Sequence, residues 1–325
     1  LQASSAGHVT DHFNGTYTVQ FPLYWVGGVL IKIQLVHPSE AVKVLQRVRK
    51  IPNKRVFHCS FVDENINATY TKQCFSSANP SLPPNQQCDF SKGEVNGTWV
   101  CERPEKLPCS AISKNTLIIF STHRPYLEAE LEVDLKQPIL VVPEAELSSH
   151  EQLPSCTWDK SSALGYWSAK VWRSSVCNVQ VFAKEDVQRC LANKTLYMQG
   201  DSTLRQWSQR LQKVVPLYYN KTTMDSTALL GGDNNQWNIS VRYRFHHFPV
   251  QGGAWIYFND FSYTADVLDS IRGGPNTVVV LGLWAHFTAE PLDMIRSRMY
   301  AIRAAIHRLK RRSPDTQVFV RTGTT

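Results

Sequence analysis

The stretch from Leu196 to Trp207 constrains the fold of this 325-residue chain more than any other stretch. A short apolar run leads into Gly200-Asp201-Ser202, and a helix-like pattern follows at once. A strand that ends in Gly-x-Ser and turns directly into a helix places the serine hydroxyl at the carboxyl edge of a sheet, among the free N–H groups of the first helical turn. Such N–H groups suit the oxyanion of an acyl-transfer intermediate. Ser202 is therefore a candidate nucleophile, and a plain N-cap is the alternative interpretation.

The region from Cys156 onward alternates between strand and helix patterns. Strands are predicted at 196–198, 241–248, 255–258, 277–283 and 317–320, and helices at 203–214, 260–271 and 291–312. The run 277–283 is continuously apolar, which is typical of a parallel strand covered on both faces. The apolar stripe predicted for the last helix consists of Ile295, Met299, Ile302, Ile306 and Leu309. The alternation predicts an α/β sheet within residues 156–325.

In residues 1–137, apolar and polar residues instead alternate with a period of two, and this region is predicted to be all-β. Strands are predicted at 16–21, 29–36, 55–62, 117–120 and 129–135. With turn residues between them, these strands favour a sandwich in which one face of each sheet is buried. The stretch 138–155, which is acidic and contains proline, resembles an interdomain linker. The predicted fold class is therefore α+β with two domains, 1–137 and 156–325.

Eight cysteines and six N-x-[S/T] sequons indicate the secretory pathway. The cysteines, which we expect to form disulfides, are Cys59, Cys74, Cys88, Cys101, Cys109, Cys156, Cys177 and Cys190. The sequons, which we expect to be glycosylated, are at Asn14, Asn67, Asn96, Asn193, Asn220 and Asn238. No Cys-x-x-Cys pair is present, so a zinc ribbon or a redox motif is not indicated and no metal is predicted. We expect the protein to be secreted or to lie in the Golgi lumen.

The net charge of +8 comes largely from two stretches, 43–55 and 296–312. A net positive charge can indicate nucleic acid, a membrane surface or acidic glycans as partners. The disulfides and sequons argue against nucleic acid, which leaves sialylated or sulfated glycans, with a solvated basic face as the plainer alternative. The sequence contains no run of about 18 uncharged apolar residues that could span a membrane.

Motifs of one known family occur in both regions. In the first region they are Val9-Thr10-Asp11, Asn14-Gly15-Thr16-Tyr17, His37-Pro38-Ser39-Glu40, and Cys101-Glu102-Arg103-Pro104 with Leu107-Pro108-Cys109. In the second region they are Gly200-Asp201-Ser202-Thr203-Leu204-Arg205-Gln206-Trp207, Trp284-Ala285-His286-Phe287 and Arg312-Ser313-Pro314-Asp315. On these motifs the chain resembles the neurexophilin and PC-esterase (NXPE) family nearly from end to end.

The resemblance implies an N-terminal immunoglobulin-like sandwich of the neurexophilin type and a C-terminal PC-esterase domain of the SGNH (GDSL-like) hydrolase superfamily. Related PC-esterase proteins add O-acetyl groups to glycans or remove them. Ser202 matches the nucleophile of that scheme, and the N–H groups of Gly200 and Ser202 match its oxyanion donors. His286 falls in the third motif block, near the oxyanion. No cofactor is implied, except an acyl donor such as acetyl-CoA if the protein is a transferase.

One part of the family pattern does not occur in this chain. SGNH enzymes complete their triad with Asp-x-x-His, and no Asp of these 325 residues has a His three positions later. We expect that motif to lie beyond Thr325, and a strand or two of the sandwich to precede Val9, so that the domains continue at both ends. The alternative is that this copy does not use the usual triad.

The histidines that could act as a base within this chain are His123, His246, His247 and His286. His246 and His247 alternate faces on a predicted strand, so at most one of them points toward a given site, and an ordinary strand or surface position is the plainer interpretation for this pair. His286 instead follows a predicted buried strand at the edge where ligands bind. Arg205 is predicted to be adjacent to the site, where it would bind a glycan carboxylate or cap a loop. Trp158, Trp167 and Trp172 are interpreted as packing beside a disulfide, with stacking on sugars as the alternative.

Three functions are compatible with these residues. The first is an O-acyl transferase or esterase that acts on a glycan or glycoprotein through Ser202. The second is a secreted binding protein that recognises an extracellular protein through its β-sandwich, with an inactive esterase fold. The third is a structural glycoprotein of an extracellular assembly.

Overall fold

The computed structural model describes residues 3–35, 39–51, 55–77, 81–113, 117–122, 131–134, 139–141, 153–157, 164–218, 229–247, 255–257, 262–288 and 290–323. The chain divides into two compact units, 1–38 with 129–183 and 39–128 with 184–325. Each unit therefore combines two segments that are distant in sequence. The predicted domains 1–137 and 156–325 stay a prediction, since the linker at 138–155 lies mostly outside the described residues.

The described residues form short strands and five helices. The strands of the first 141 residues are β1 (Ala3–Ser5), β2 (His8–Asp11), β3 (Tyr17–Gln20), β4 (Gly27–Val29), β5 (Lys32–Leu35), β6 (Arg55–Asp63), β7 (Ala68–Phe75), β8 (Gln87–Asp89), β9 (Val100–Glu102), β10 (Leu117–Thr122), β11 (Leu131–Asp134) and β12 (Ile139–Val141). The remaining strands are β13 (Gly165–Ser168), β14 (Val171–Ser174), β15 (Thr195–Gly200), β16 (Leu229–Asn234), β17 (Ile239–Phe245), β18 (Trp255–Tyr257), β19 (Thr277–Gly282) and β20 (Gln317–Val320). The helices are α1 (Ser39–Arg49), α2 (Lys184–Leu191), α3 (Ser202–Val214), α4 (Thr264–Ser270) and α5 (Leu292–Arg312).

The first unit is built from antiparallel pairs of short strands. Its sheets are β1-β13-β14, β2-β3, β4-β12 and β5-β11. The single buried strand predicted at 29–36 is wrong, because the chain leaves β4 at the exposed Leu30 and starts β5 with a different partner strand. Trp167 and Trp172 face each other across β13 and β14 with ring centroids 5.6 Å apart, whereas Trp158 lies outside the described residues.

The core of the second unit is a five-stranded sheet in the order β16-β17-β15-β19-β20. Strands β17, β15, β19 and β20 are parallel, and β16 is antiparallel at one edge. Alternate residues of β19 point to opposite faces. Val278 and Val280 pack with the cluster that includes α3, while Val279 and Leu281 pack with α4 and α5. The prediction of a strand covered on both faces, and with it a mixed α/β organisation, is confirmed.

A six-stranded antiparallel sheet, β18-β10-β6-β7-β9-β8, belongs to the same unit. Its buried side chains Phe57 and Phe61, with Trp99 just before β9, lie in one cluster with the buried residues of α4 and α5. The edge strand β18 comes from the C-terminal part of the chain and pairs with β10. The sequence therefore could not show this partner, because strand pairing is not a local property.

The prediction that residues 1–137 are all-β is wrong at α1. Val44, Leu45 and Val48 recur at the spacing of a helix face, and Val48 is buried. The immunoglobulin-like class of this region stays a prediction.

The helices of the second unit differ in detail from the predicted ones. Helix α4 starts at Thr264 rather than at 260, and α2 and β16 were not predicted. Within α5, the buried residues are Arg298, Ala301, Ile302, Ala305 and Leu309, so the buried stripe is shifted from the predicted one, and Met299 is 36% exposed. Small alanines on this face permit close packing against α4.

The predicted solvated basic face of α5 is wrong at Arg298, which is 5% exposed. Its guanidinium lies 4.6 Å from the ring centroid of Tyr263 and donates to the backbone carbonyls of Val95 and Asn96. Burial lowers the pKa of Arg298 and raises that of Tyr263 to about 12. These contacts connect α5 to the loop before β9.

Six of the eight cysteines form disulfides, Cys74–Cys101, Cys88–Cys109 and Cys156–Cys177. The expectation that all eight pair is wrong for Cys59 and Cys190. Cys59 is buried within 4.8 Å of the sulfurs of Cys74 and Cys101, but these two are already bonded to each other. Cys190 is unpaired and lies exposed on α2.

The sequon asparagines that the structure describes are all exposed. They are Asn14, Asn67, Asn96, Asn193 and Asn238, whereas Asn220 lies outside the described residues. None of the described helices has the length and apolar composition that crossing a bilayer requires.

The two unpaired thiols should differ in reactivity. We expect an aromatic disulfide reagent to label Cys190 in the folded protein and Cys59 only after denaturation without reductant. Cys59 is fully buried, and burial raises its pKa to about 12, so it offers almost no thiolate. Thiol counting before and after denaturation measures this, and the Cys190→Ser variant should lose only the first thiol. Labelling of Cys59 in the native state, or its absence after unfolding, would contradict the assigned pairing.

Candidate active site

Three parallel strands end side by side at one edge of the sheet. At this edge Gly200 of β15 lies level with Gly282 of β19, and β17 ends one residue before His246. Ser202 follows β15 as the first residue of α3, and His286 lies in a short 3-10 turn after β19. The structure therefore brings together the predicted nucleophile, the histidine of the third motif block and one histidine of the pair 246–247.

This edge contains the topological switch point of the sheet. The chain leaves β15 through α3 and returns as β17 on one side, and it then crosses through α4 to β19 on the other side of β15. Helices that follow neighbouring strands on opposite faces leave a crevice outside the carboxyl ends of those strands, and ligands bind there in α/β sheets. Ser202 and His286 flank the crevice between β15 and β19.

Asp201, and not Ser202, is the N-cap of α3. One carboxylate oxygen of Asp201 accepts hydrogen bonds from the N–H groups of Thr203 (2.9 Å) and Leu204 (3.4 Å) and from the Thr203 hydroxyl (2.5 Å). The plain N-cap interpretation of Ser202 is thereby wrong. Ser202 is partly exposed, and its hydroxyl makes no hydrogen bond to the described residues.

The second carboxylate oxygen of Asp201 accepts from the N–H of Ala285 at 3.2 Å. This bond joins the residue before Ser202 to the residue before His286. Burial disfavours the ionised carboxyl, but the bonds from Thr203, Ala285 and Leu204 outweigh it, and the pKa of Asp201 lies below its usual value. Asp201 thus holds both turns of the site as a carboxylate.

Gly200 is required by the close approach of β15 and β19. A Cβ at this position would lie 2.3 Å from the carbonyl oxygen of Gly282 and 3.0 Å from a methyl group of Leu204. Any other residue would push the strand from its neighbour and from α3. The proposed oxyanion role of the N–H groups of Gly200 and Ser202 stays a prediction.

Tyr243 donates to the turn that carries Ser202, a contact that the sequence does not indicate. Its fully buried hydroxyl lies 3.2 Å from the carbonyl oxygen of Gly200 and 3.1 Å from that of Asp201. Burial raises the pKa of Tyr243, so the phenol stays a neutral donor. Buried and partly exposed residues alternate along β17, and this alternation indicates that the Tyr243 side chain points into the core.

His246 and His286 form a direct pair, with 3.1 Å between His246 Nε2 and His286 Nδ1. His246 is fully buried, whereas His286 is partly exposed. His247 accepts from the Ser262 N–H at 3.1 Å, and its own burial, followed by the charges of Arg244 and His246, lowers its pKa to about 3. As predicted for neighbouring strand residues, only one of the two faces the site. His123 lies outside the described residues.

Cations and exposed indoles surround the Ser202 turn. Arg321 donates to the Thr203 hydroxyl at 2.5 Å, and its guanidinium lies 4.7 Å from the ring centroid of Trp207. Trp207 and Trp284 are both more than half exposed. Arg205 acts electrostatically on Tyr243, and its role at the site stays a prediction. Arg321 was missed because it is near Ser202 only in the folded chain.

Among the described residues, one group of three metal-ligand side chains lies close together, namely Cys59, Cys74 and Cys101. Two of these sulfurs are joined in a disulfide and cannot act as thiolate ligands. The group therefore does not fit a metal ion.

Comparison with protein families identifies two matching regions. Residues 172–325 match the family model described as NXPE family member 4-like, C-terminal domain. Residues 1–118 match the Neurexophilin family model. The first match contains the Ser202 turn, the histidine pair and the whole parallel sheet.

Removal of the Asp201 charge should destabilise the fold in a pH-dependent way. We expect Asp201→Asn to lower the free energy of unfolding at pH 7 by about 1–3 kcal/mol, because a buried acceptor of four hydrogen bonds is changed. The folded-state pKa is depressed, so this contribution is present above the unfolded pKa of about 4 and is lost as pH falls through the folded value.

Urea denaturation at pH 7 and at lower pH measures this effect. The matched control is Asp293→Asn, which changes a 96% exposed carboxylate in the first turn of α5 and should alter stability by less than about 0.5 kcal/mol. If the difference in free energy of unfolding between Asp201→Asn and the parent does not shrink at low pH, the Asp201 carboxyl is not ionised in the folded protein and the account is contradicted.

Proposed function

Because this chain belongs to the NXPE family, we propose that the site around Ser202 transfers or hydrolyses O-acyl groups, O-acetyl groups in particular, on glycans. The observation that carries the proposal is the position of Ser202 at the switch point, beside the His246–His286 pair and on a turn held by Asp201. The finer fold classes belong to the same proposal: an SGNH-type PC-esterase fold for the C-terminal region and an immunoglobulin-like sandwich for the N-terminal one.

The family, the three disulfides and the exposed sequons fit a secretory glycoprotein. Disulfides persist in the oxidising lumen of the secretory pathway and outside the cell, where glycans are made and displayed. We propose that the protein acts in the Golgi lumen or after secretion. A glycan or a glycoprotein is the substrate class that these compartments supply.

The reaction divides into two acyl transfers. The Ser202 oxygen attacks the acyl carbonyl of the donor, a base takes the hydroxyl proton, and the donor's leaving group departs with a proton. A glycan hydroxyl then attacks the acyl-serine in a transferase, or water does so in an esterase, and Ser202 regains its proton. A donor such as acetyl-CoA serves the transferase.

The groups of the site suit the charge that develops in both steps. Each tetrahedral intermediate carries a negative oxygen. The N–H groups of Gly200 and Ser202 are the donors proposed for it, because the N–H groups of Thr203 and Leu204 already donate to Asp201. The cations Arg205 and Arg321 lie near the same turn. The exposed indoles of Trp207 and Trp284 offer flat apolar faces on which sugar rings stack.

Ser202→Ala should abolish acyl chemistry. We expect the variant to lose hydrolysis of p-nitrophenyl acetate by about 10³-fold or more and to lose labelling by a fluorophosphonate probe. The matched control is Ser208→Ala, which removes a fully buried hydroxyl from the same helix and should keep both activities. Turnover by Ser202→Ala equal to that of the parent would end the proposal.

A second candidate function is binding of an extracellular protein through the first unit. The residues of this unit that match the Neurexophilin model expose several large apolar side chains. They are Val9, Phe13, Tyr17, Leu23, Val26 and Leu30, and Phe13 is 93% exposed. Contiguous exposed apolar side chains mark interaction sites, and we propose that these residues form one such surface.

Binding of the purified chain to cultured cells, measured by flow cytometry, tests this function. We expect Phe13→Ser combined with Leu23→Ser to remove binding, because both side chains lie on the exposed apolar surface. Tyr300→Ser, which changes an exposed apolar residue of α5, is the control and should bind normally. Loss of binding in folded Ser202→Ala would instead connect the binding to the acyl site and count against this candidate.

A further inference from the structure

Two of the sequons meet at the edge of the parallel sheet that lies opposite the Ser202 turn. One is 193–195, at the start of β15, and the other is 238–240, at the start of β17. Thr195 and Ser240 lie level with each other in this parallel pair of strands. The six residues of β15, at about 3.3 Å each, separate this edge from the Ser202 turn by roughly 20 Å. A glycan attached here therefore stays clear of the candidate acyl site.

The side-chain amides of the two acceptor asparagines are in direct contact. Asn238 Nδ2 donates to Asn193 Oδ1 at 3.0 Å, and both residues are exposed to solvent. The Nδ2 atom of Asn193 makes no hydrogen bond to the part of the chain that the structure describes. The nitrogen that would carry a glycan is therefore engaged at Asn238 and free at Asn193.

The backbone holds these two asparagines side by side. The N–H of Asn193 donates to the carbonyl of Trp237 at 3.0 Å. The N–H of Ser240 donates to the carbonyl of Lys194 at 2.9 Å. Both asparagines have a left-handed backbone, with φ of 61° and 50°, which asparagine adopts more readily than most residues. The distance between their Cβ atoms is thus fixed, and each short side chain has only two torsions with which to turn away.

Glycosylation places a sugar in the space that this contact occupies. An N–C bond forms between Nδ2 and the anomeric carbon of a lipid diphosphate-linked sugar, the C–O bond to the diphosphate breaks, and Nδ2 loses one proton. The new amide is planar, and its sugar lies trans to Cβ, on the side of Oδ1. A sugar on Asn193 therefore lies beside the oxygen that Asn238 contacts, and a sugar on Asn238 replaces a hydrogen of the donating nitrogen. Because a glycan is bulky, each one obstructs the other.

We propose that these two sequons are mutually exclusive, and that the folded protein carries a glycan on Asn193 and none on Asn238. Asn193 precedes Asn238 by 45 positions, so it reaches the glycosylating enzyme first during synthesis. When β15 and β17 pair, the first sugar on Asn193 covers the Asn238 amide, and a chain with both glycans does not close this edge of the sheet. This inference rests on the secretory route proposed above and does not depend on the acyl chemistry of Ser202.

Glycopeptide mapping of the parent chain tests the inference without any variant. The protein is secreted from cultured cells that keep glycans in the high-mannose form, and an endoglycosidase then leaves one N-acetylglucosamine on each modified asparagine. Mass spectrometry of the peptides should find this sugar on Asn193 and a bare Asn238. Full occupancy of both asparagines, or a sugar on Asn238 beside a bare Asn193, would overturn the inference.

Variants separate mutual exclusion from a sequon that is simply not used. In a chain whose other four sequon asparagines are changed to glutamine, the intact mass should show one N-acetylglucosamine per molecule. Adding Asn193→Gln should move the sugar to Asn238, because its neighbour no longer carries one. The matched control keeps Asn14 and Asn67 instead, which are exposed and make no hydrogen bond to each other, and it should show two sugars.

The outcomes distinguish this inference from the proposal on which it rests. Two sugars on the chain that keeps only Asn193 and Asn238 would overturn mutual exclusion and leave the secretory route standing. A bare Asn238 in the Asn193→Gln chain would also overturn it, because that sequon would then be unused whatever its neighbour carries. A parent chain without a sugar at any sequon would end the secretory route, and the inference with it.

Discussion

The carboxylate of Asp201 is the interaction on which the site depends. One oxygen caps α3 and so fixes the turn that carries Ser202, and the other holds the N–H of Ala285 and so fixes the turn that carries His286. The missing side chain of Gly200 permits β15 and β19 to approach closely enough for this bridge. A single ionised group thus connects the carboxyl ends of two parallel strands at the switch point, where an α/β sheet is open to ligands.

The parts of the structure that depend on local pattern could be predicted from the sequence. The apolar run of β19, the strand β20 and the long helix α5 follow from periodicity over neighbouring residues, and the Gly-Asp-Ser turn has a local steric logic. The pairing of β18 with β10, the bond between His246 and His286 and the approach of Arg321 to Thr203 join residues that are tens to hundreds of positions apart. The periodicity of a sequence does not indicate such contacts. Nor does it indicate that Cys59 stays unpaired because the two cysteines next to it in space, Cys74 and Cys101, are bonded to each other.

The chemistry of the site is consistent with stabilising a negative oxygen. The His246–His286 pair and two arginines lie near the turn that carries Ser202, and the hydroxyl of the buried Tyr243 donates to carbonyl groups of this turn. Residues 172–325, which match the C-terminal NXPE domain, contain all of these groups. The exposed apolar side chains of that first unit lie in the Neurexophilin-like region, so acyl chemistry and partner binding can reside in different parts of one secretory glycoprotein.

The central claim is that Ser202 carries the acyl group during the reaction. The most direct test is to mix the protein with an activated acetyl ester, stop the reaction with acid within its first turnovers, and map the peptides by mass spectrometry. The account predicts one added acetyl group on the peptide that contains Ser202, and its disappearance when a hydroxyl acceptor is supplied before the acid. An unmodified Ser202 during rapid ester turnover, or an acetyl group on another residue with the same kinetics, would contradict it.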